Sequence, residues 1–86
     1  MFALVGQIKM INDISKTKKI RELIIERKVG EKLVLTSFIV VNEKVISELE
    51  KYKVGNKVEC TFAILGNSYE NKITNTLYLN KIISLN

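Results

Sequence analysis

The stretch Asn42-Glu43-Lys44-Val45-Ile46-Ser47-Glu48-Leu49-Glu50-Lys51-Tyr52-Lys53-Val54-Gly55-Asn56-Lys57-Val58-Glu59-Cys60-Thr61-Phe62-Ala63-Ile64 changes its hydrophobic period halfway along. In its first half, Val45, Ile46, Leu49 and Tyr52 recur at helical spacing behind Asn42, a residue type that caps helix N-termini. The spacing predicts one short amphipathic helix over residues 43–52. After Gly55 the period becomes two. Val58, Cys60, Phe62 and Ile64 alternate with Lys57, Glu59, Thr61 and Ala63, the pattern of a strand with one buried face.

Upstream of the helix the chain reads as three strands. Residues 2–11 are mostly apolar and β-prone, with Gly6 inside the run. A glycine there marks a bulge or sharp bend, which a first strand needs if it is to pair with two neighbours on closing a barrel. Residues 12–19 form a polar, basic loop. In residues 20–29, Arg21, Leu23, Ile25 and Arg27 share one face, and Ile20, Glu22, Ile24 and Glu26 the other. Gly30-Glu31 makes a turn, and residues 32–41 return as the third strand of a hairpin. Downstream, residues 66–71 read as a polar loop carrying Tyr69, and residues 73–83 as the last strand. The order is β-β-β-α-β-β. A helix between strands three and four is the arrangement of the five-stranded OB-fold barrel, an all-β fold with one short helix, here a single domain over residues 1–86. An open α+β sheet is the competing reading, and it leaves strand edges exposed.

Composition excludes much of chemistry. The chain has no histidine and one cysteine, so the usual zinc and iron–sulfur ligand sets are missing. No glycine-rich phosphate loop and no Gly-x-Ser-x-Gly elbow occurs. Glu22 and Glu26, four apart in a strand, lie roughly 13 Å apart, too far for a tight acid–base dyad. The expectation is a non-enzymatic protein with no cofactor and no small-molecule substrate. No apolar run exceeds five residues, and that at 38–41, like the others, falls far short of the roughly 18 residues of a membrane span. The N-terminus lacks the pattern of a signal peptide. With Cys60 in apolar surroundings, this predicts a cytoplasmic protein without membrane contact. The net charge of +5 favours acidic partners such as nucleic acid, and equally suits a plain soluble surface.

OB barrels bind oligonucleotides on the face of strands two and three and on the loops after strands one and four. The first loop carries Lys16, Lys18 and Lys19, with Arg21 just beyond. Arg27, Lys28 and Lys32 flank the hairpin at the other end. These are candidate phosphate contacts, or solvated lysines that blunt strand edges. Tyr69, beside Asn67, Asn71 and Lys72, sits where no core position requires an aromatic, and is the first candidate for base stacking. Phe38 and Tyr78 are further candidates whose sense depends on strand register. Phe62 alternates with core positions, and Tyr52 closes the helix against the barrel. Some of Ile20, Ile24, Val34 and Leu35 must face outward, to stack sugars and bases or to form a dimer interface.

Gly6-Gln7-Ile8, then Lys18-Lys19-Ile20-Arg21-Glu22-Leu23-Ile24-Ile25-Glu26, then a helix leading into Tyr52-Lys53-Val54-Gly55-Asn56-Lys57-Val58, followed by Phe62, Ile64 and Gly66, follow one another in an order that resembles the small OB-fold single-stranded-DNA-binding proteins. The resemblance is to a short OB-domain family of some bacteria and their phages, and it runs through nearly the whole chain. It implies sequence-tolerant binding of single-stranded DNA, with RNA left open, in replication, recombination or repair. It matches Lys19 and Arg21 to the basic lead into strand two and Tyr69 to the aromatic of the last loop. The chain departs from the pattern at Ile20, where relatives often carry an aromatic, and in having no tryptophan. With one or two stacking platforms a monomer binds weakly, so a homo-oligomer is expected. The rival reading is an OB-fold adaptor or structural subunit that contacts protein through its apolar face.

Overall fold

The computed structural model describes residues 1–15 and 19–85. Strands β1 (Phe2–Ser15), β2 (Ile20–Val29) and β3 (Lys32–Val40) precede a helix, α1 (Glu43–Leu49), and strands β4 (Lys57–Tyr69) and β5 (Lys72–Ser84) follow it. The strands close in the order β1-β2-β3-β5-β4, with β1 pairing back onto β4. The expected five-stranded OB barrel with one short helix is the observed architecture.

Closure rests on β1 changing partner. Its first half pairs with β4, from Phe2↔Phe62 to Gln7↔Lys57, and its second half pairs with β2, from Gln7↔Glu26 to Ser15↔Ile20. Gly6 lies buried at the change. A Cβ there would run into Ile25 Cγ2 and stand 2.8 Å from the Glu26 carbonyl oxygen. Backbone cannot yield as a flexible side chain does. Gly6→Ala is therefore expected to cost about 3 kcal/mol, the upper end of overpacking costs. Urea denaturation should show a lower midpoint with an unchanged slope; an unchanged midpoint would mean that the strands do not approach this closely.

The core is continuous. Ile8, Leu23, Ile25, Phe38, Val40, Val58, Cys60, Phe62, Leu79 and Ile82 fill the barrel, and Val45, Ile46 and Leu49 of α1 join them. Asn42 caps the helix, its side-chain oxygen accepting from the Lys44 amide at 2.9 Å. The helix stops at Leu49 and not at residue 52. The Lys51 and Tyr52 amides donate to the Glu48 and Leu49 carbonyls at 3.0 Å, which tightens the exit. Tyr52 then packs half-buried against the core, as expected. Burial, with Glu59 adding to it, pushes the Cys60 thiol from 9.0 up to about 12. The thiol stays neutral and inert. Its contribution to stability is whole below pH 9 and is lost as pH rises towards 12.

Parts of two expected loops, residues 12–15 and 66–69, prove to be strand. β1 continues to Ser15 because polar cross-strand pairs carry the ladder onward. Arg21 Nε meets Asp13 Oδ1 at 2.6 Å, and the Asn12 amide donates to Glu22 at 3.1 Å. At the other end, β4 and β5 run to Tyr69 and Lys72, leaving a two-residue turn. Glu70 and Asn71 there have φ of 48° and 65°, the positive pair that a type I′ hairpin turn requires. Among the described residues no helix is long and apolar enough to cross a membrane, and no group of His, Cys, Asp and Glu could hold a metal ion.

Candidate nucleic-acid interface

Alternation along each strand decides which side chains reach the surface. Phe38 and Leu79 point into the barrel, so their neighbours Ile39 and Tyr78 point out. These two form the one β3–β5 register pair among the described residues. From that junction the β2–β3 and β4–β5 ribbons diverge; the second is held only by its own antiparallel ladder, and the first keeps β1 beside β2 as far as Glu26. The outer face of the β2–β3 ribbon carries Leu35 and Leu33, both exposed. The outer face of the β4–β5 ribbon carries Leu65, Asn67 and Tyr69 opposite Thr76, Thr74 and Lys72.

This places the expected site residues unequally. Tyr69 is 76% exposed, but it ends β4 and stands on a ladder opposite Lys72, not in a loop. Tyr78 faces outward, half-buried at the junction. Six residues separate Tyr69 from Ala63, the partner of Tyr78, so the two rings stand about 20 Å apart along one face. Lys72 lies beside Tyr69, and Lys32 starts β3 at the tip of the facing ribbon.

Phe38 corrects the sequence reading. It is 0% exposed, with its ring centroid 4.8 Å from that of Phe62, which stacks in turn on Phe2 at 5.9 Å. A ring sealed in this cluster cannot receive a base. The basic lead into β2 lies at the opposite end of the barrel from the ribbon tips. Arg21 is engaged by Asp13, and Lys19 and Arg21 share a cleft with Glu43 and Glu50. Their charge is balanced locally. Lys16 and Lys18 lie outside the described residues. Arg27 lies on the far edge of the β2–β3 ribbon, in a cleft with Lys28 and Lys57.

Sequence reasoning missed Leu33, Leu65 and Ile73, the last 78% exposed. The outward sense of Leu33 and Leu65 follows only once the register around Phe38 and Leu79 is fixed; Ile73 shares the parity of Leu79 and is exposed because it stands near the ribbon tip. Of the residues whose sense was open, Leu35 is exposed, while Ile20, Ile24 and Val34 are half-buried. Across the outer face of β1, β2 and β3, Glu22 accepts from the Ser37 hydroxyl at 2.7 Å as well as from Asn12. The Ser37 hydroxyl first, then the Asn12 amide, holds this carboxyl below its ordinary value, so the middle of the face keeps a negative charge.

A scan against protein-family models gives no match, and neither does a search of curated proteins. Solved structures do match. The mitochondrial single-stranded DNA-binding protein Rim1 from S. cerevisiae aligns with a TM-score of 0.74 at 21% identity, over 98% of this chain and 92% of its own. A second crystal form of that protein gives 0.72 at 20% identity. The Plasmodium falciparum SSB, solved in complex with single-stranded DNA, gives 0.63 at 12% identity, over 99% of this chain and 93% of its own. These are structures of DNA-binding proteins and not of enzymes. The chain shares with them the closed five-stranded OB barrel and its single helix.

Proposed function

We propose that this chain binds single-stranded DNA without reading its sequence, in replication, recombination or repair. One observation carries the reading. On an OB barrel, the β4–β5 ribbon presents Tyr69 and Tyr78 on one outer face, with Lys72 beside Tyr69 and exposed leucines on this ribbon and on the diverging β2–β3 ribbon. Tyrosine rings and leucines supply sequence-tolerant surfaces for bases, and lysines track the phosphates. Lys32 and Lys72, at the ribbon tips, are the phosphate contacts this geometry favours. Lys19 and Arg21 are weaker contacts because acids already face them.

Two tyrosines make few platforms for one strand. A homo-oligomer supplies more, since linked sites multiply affinity. Met10 and Ile14, exposed on β1, offer an apolar surface for such an assembly, or for a different protein if the chain is an adaptor.

The test is the salt dependence of oligo-dT binding. Each phosphate contact to a single strand contributes about 0.7 to the slope of log affinity against log salt. Lys32→Ala with Lys72→Ala is expected to flatten the slope by about 1.4. Lys19→Ala with Arg21→Ala should change it less. A slope untouched by the first pair removes both lysines from the interface.

A further inference from the structure

The β2–β3 ribbon has a second edge, and a cleft opens along it. β1 and β2 part after Gln7↔Glu26, where β1 turns away to pair Gly6 with Val58 and Val5 with Glu59. β2 runs on as Arg27, Lys28 and Val29, held only by β3. The gap has Gly6 in its wall, with Val5, Gln7 and Lys57 on one side and Glu26, Arg27, Lys28 and Leu33 on the other. It mirrors the divergence of β3 from β5 on the ribbon's other edge.

Its charge is one-sided. Arg27, Lys28 and Lys57 are cationic, and the one acid, Glu26, is met by Lys9 Nζ at 3.5 Å. Val5 and Leu33 add apolar surface. Such a cleft suits an anion attached to a flat or apolar group, as a phosphodiester is attached to its nucleoside. Lys28 stands opposite Leu33, and Leu33 shares its outer face with Leu35 and, past the junction, Tyr78. The cleft is thus continuous with the tyrosine-bearing ribbon along β3, with Leu33 six residues, about 20 Å, from Ile39, the partner of Tyr78.

The acids fix where a strand can cross. Glu22 stands opposite Ile39, in the junction row beside Tyr78, and repels phosphate there. Nearer the tip, the Glu26 row is balanced by Lys9 and the Lys28–Leu33 row is cationic and apolar. We infer that the Arg27–Lys28–Lys57 cleft is a second phosphate-binding subsite, reached by a single strand that crosses the β2–β3 ribbon over Leu35 and Leu33. This rests on the single-strand reading and adds its path. An acidic peptide would satisfy the same charges, but it gains nothing from continuity with the tyrosine face.

The experiment compares dT oligomers of about 8 and about 16 nucleotides, a short and a long site for one OB fold. The intact protein is set against R27Q/K28Q/K57Q, with unfolding midpoints measured for both. Loss of three single-strand contacts should flatten the salt slope for the long oligomer by about 2 and weaken its binding at least tenfold. Binding of the short oligomer should change less than twofold. Lys28→Glu alone, at an exposed position, should weaken the long oligomer selectively even if the triple variant folds poorly. Equal binding of both oligomers by wild type and variants overturns the subsite and leaves the tyrosine face standing. The subsite also falls if a poly-glutamate peptide, but no long oligomer, loses binding in the variants. No binding of any oligomer by wild type rejects the single-strand reading itself.

Discussion

Replacing Phe38 with alanine is expected to remove about 3–5 kcal/mol of stability. The ring is sealed from solvent and packs at 4.8 Å centroid distance on Phe62. Truncation leaves a cavity between β2, β3 and the Phe62 ring that rigid strands on every side cannot close. For a chain of this length the whole folding free energy is about 4–13 kcal/mol, so the variant stands near its threshold at room temperature. Chemical denaturation checks this directly. Tyr69→Ala is the control: with the ring exposed at the end of β4, its loss should shift stability by no more than about 0.5 kcal/mol. A Phe38 variant as stable as the Tyr69 variant would mean that β3 is set in the other register, with its aromatic outside.

The second large effect is on binding, and it reverses that order. Tyr69→Ala and Tyr78→Ala should each weaken oligo-dT binding by about 1–3 kcal/mol, the value of one base stacked on an aromatic ring. Tyr69→Phe keeps the ring and should keep the affinity. Tyr78 also packs at the β3–β5 junction, so Tyr78→Phe is the informative partner of its alanine variant. Titration by fluorescence anisotropy reads both. If Tyr69→Ala binds as tightly as wild type, the β4–β5 ribbon plays no part in stacking.

The barrel was legible because its signals are periodic. The switch from helical to alternating spacing between residues 42 and 64 located α1 and β4, and the leucine–isoleucine alternation of residues 20–29 located β2. The ends of strands were less legible. Asn12 and Asp13 read as loop because they are polar, yet their partners Glu22 and Arg21 sit across the ladder and satisfy them. The hairpin at Glu70-Asn71 lacks the glycine that announces a type I′ turn, and only Asn71 hints at it. The site was legible as residue types but not as places. Phe38 and Tyr78 are interchangeable until Val40 and Leu79 fix the inward parity. Arg21 looks available until Asp13 is seen beside it. The Arg27–Lys28–Lys57 cleft depends on where β1 exchanges β2 for β4, and no local pattern in the sequence encodes that point.

The most direct measurement is equilibrium binding of a labelled oligo-dT of about 30 nucleotides, long enough for more than one OB site. It is made at low and at moderate salt, with duplex DNA and oligo-U as competitors. The account predicts tight binding that weakens as salt rises and that duplex DNA does not displace. Oligo-U competition ranks RNA against DNA. Absence of binding at micromolar protein and low salt, or equal displacement by duplex, would contradict it and turn attention to a protein partner on the exposed leucines.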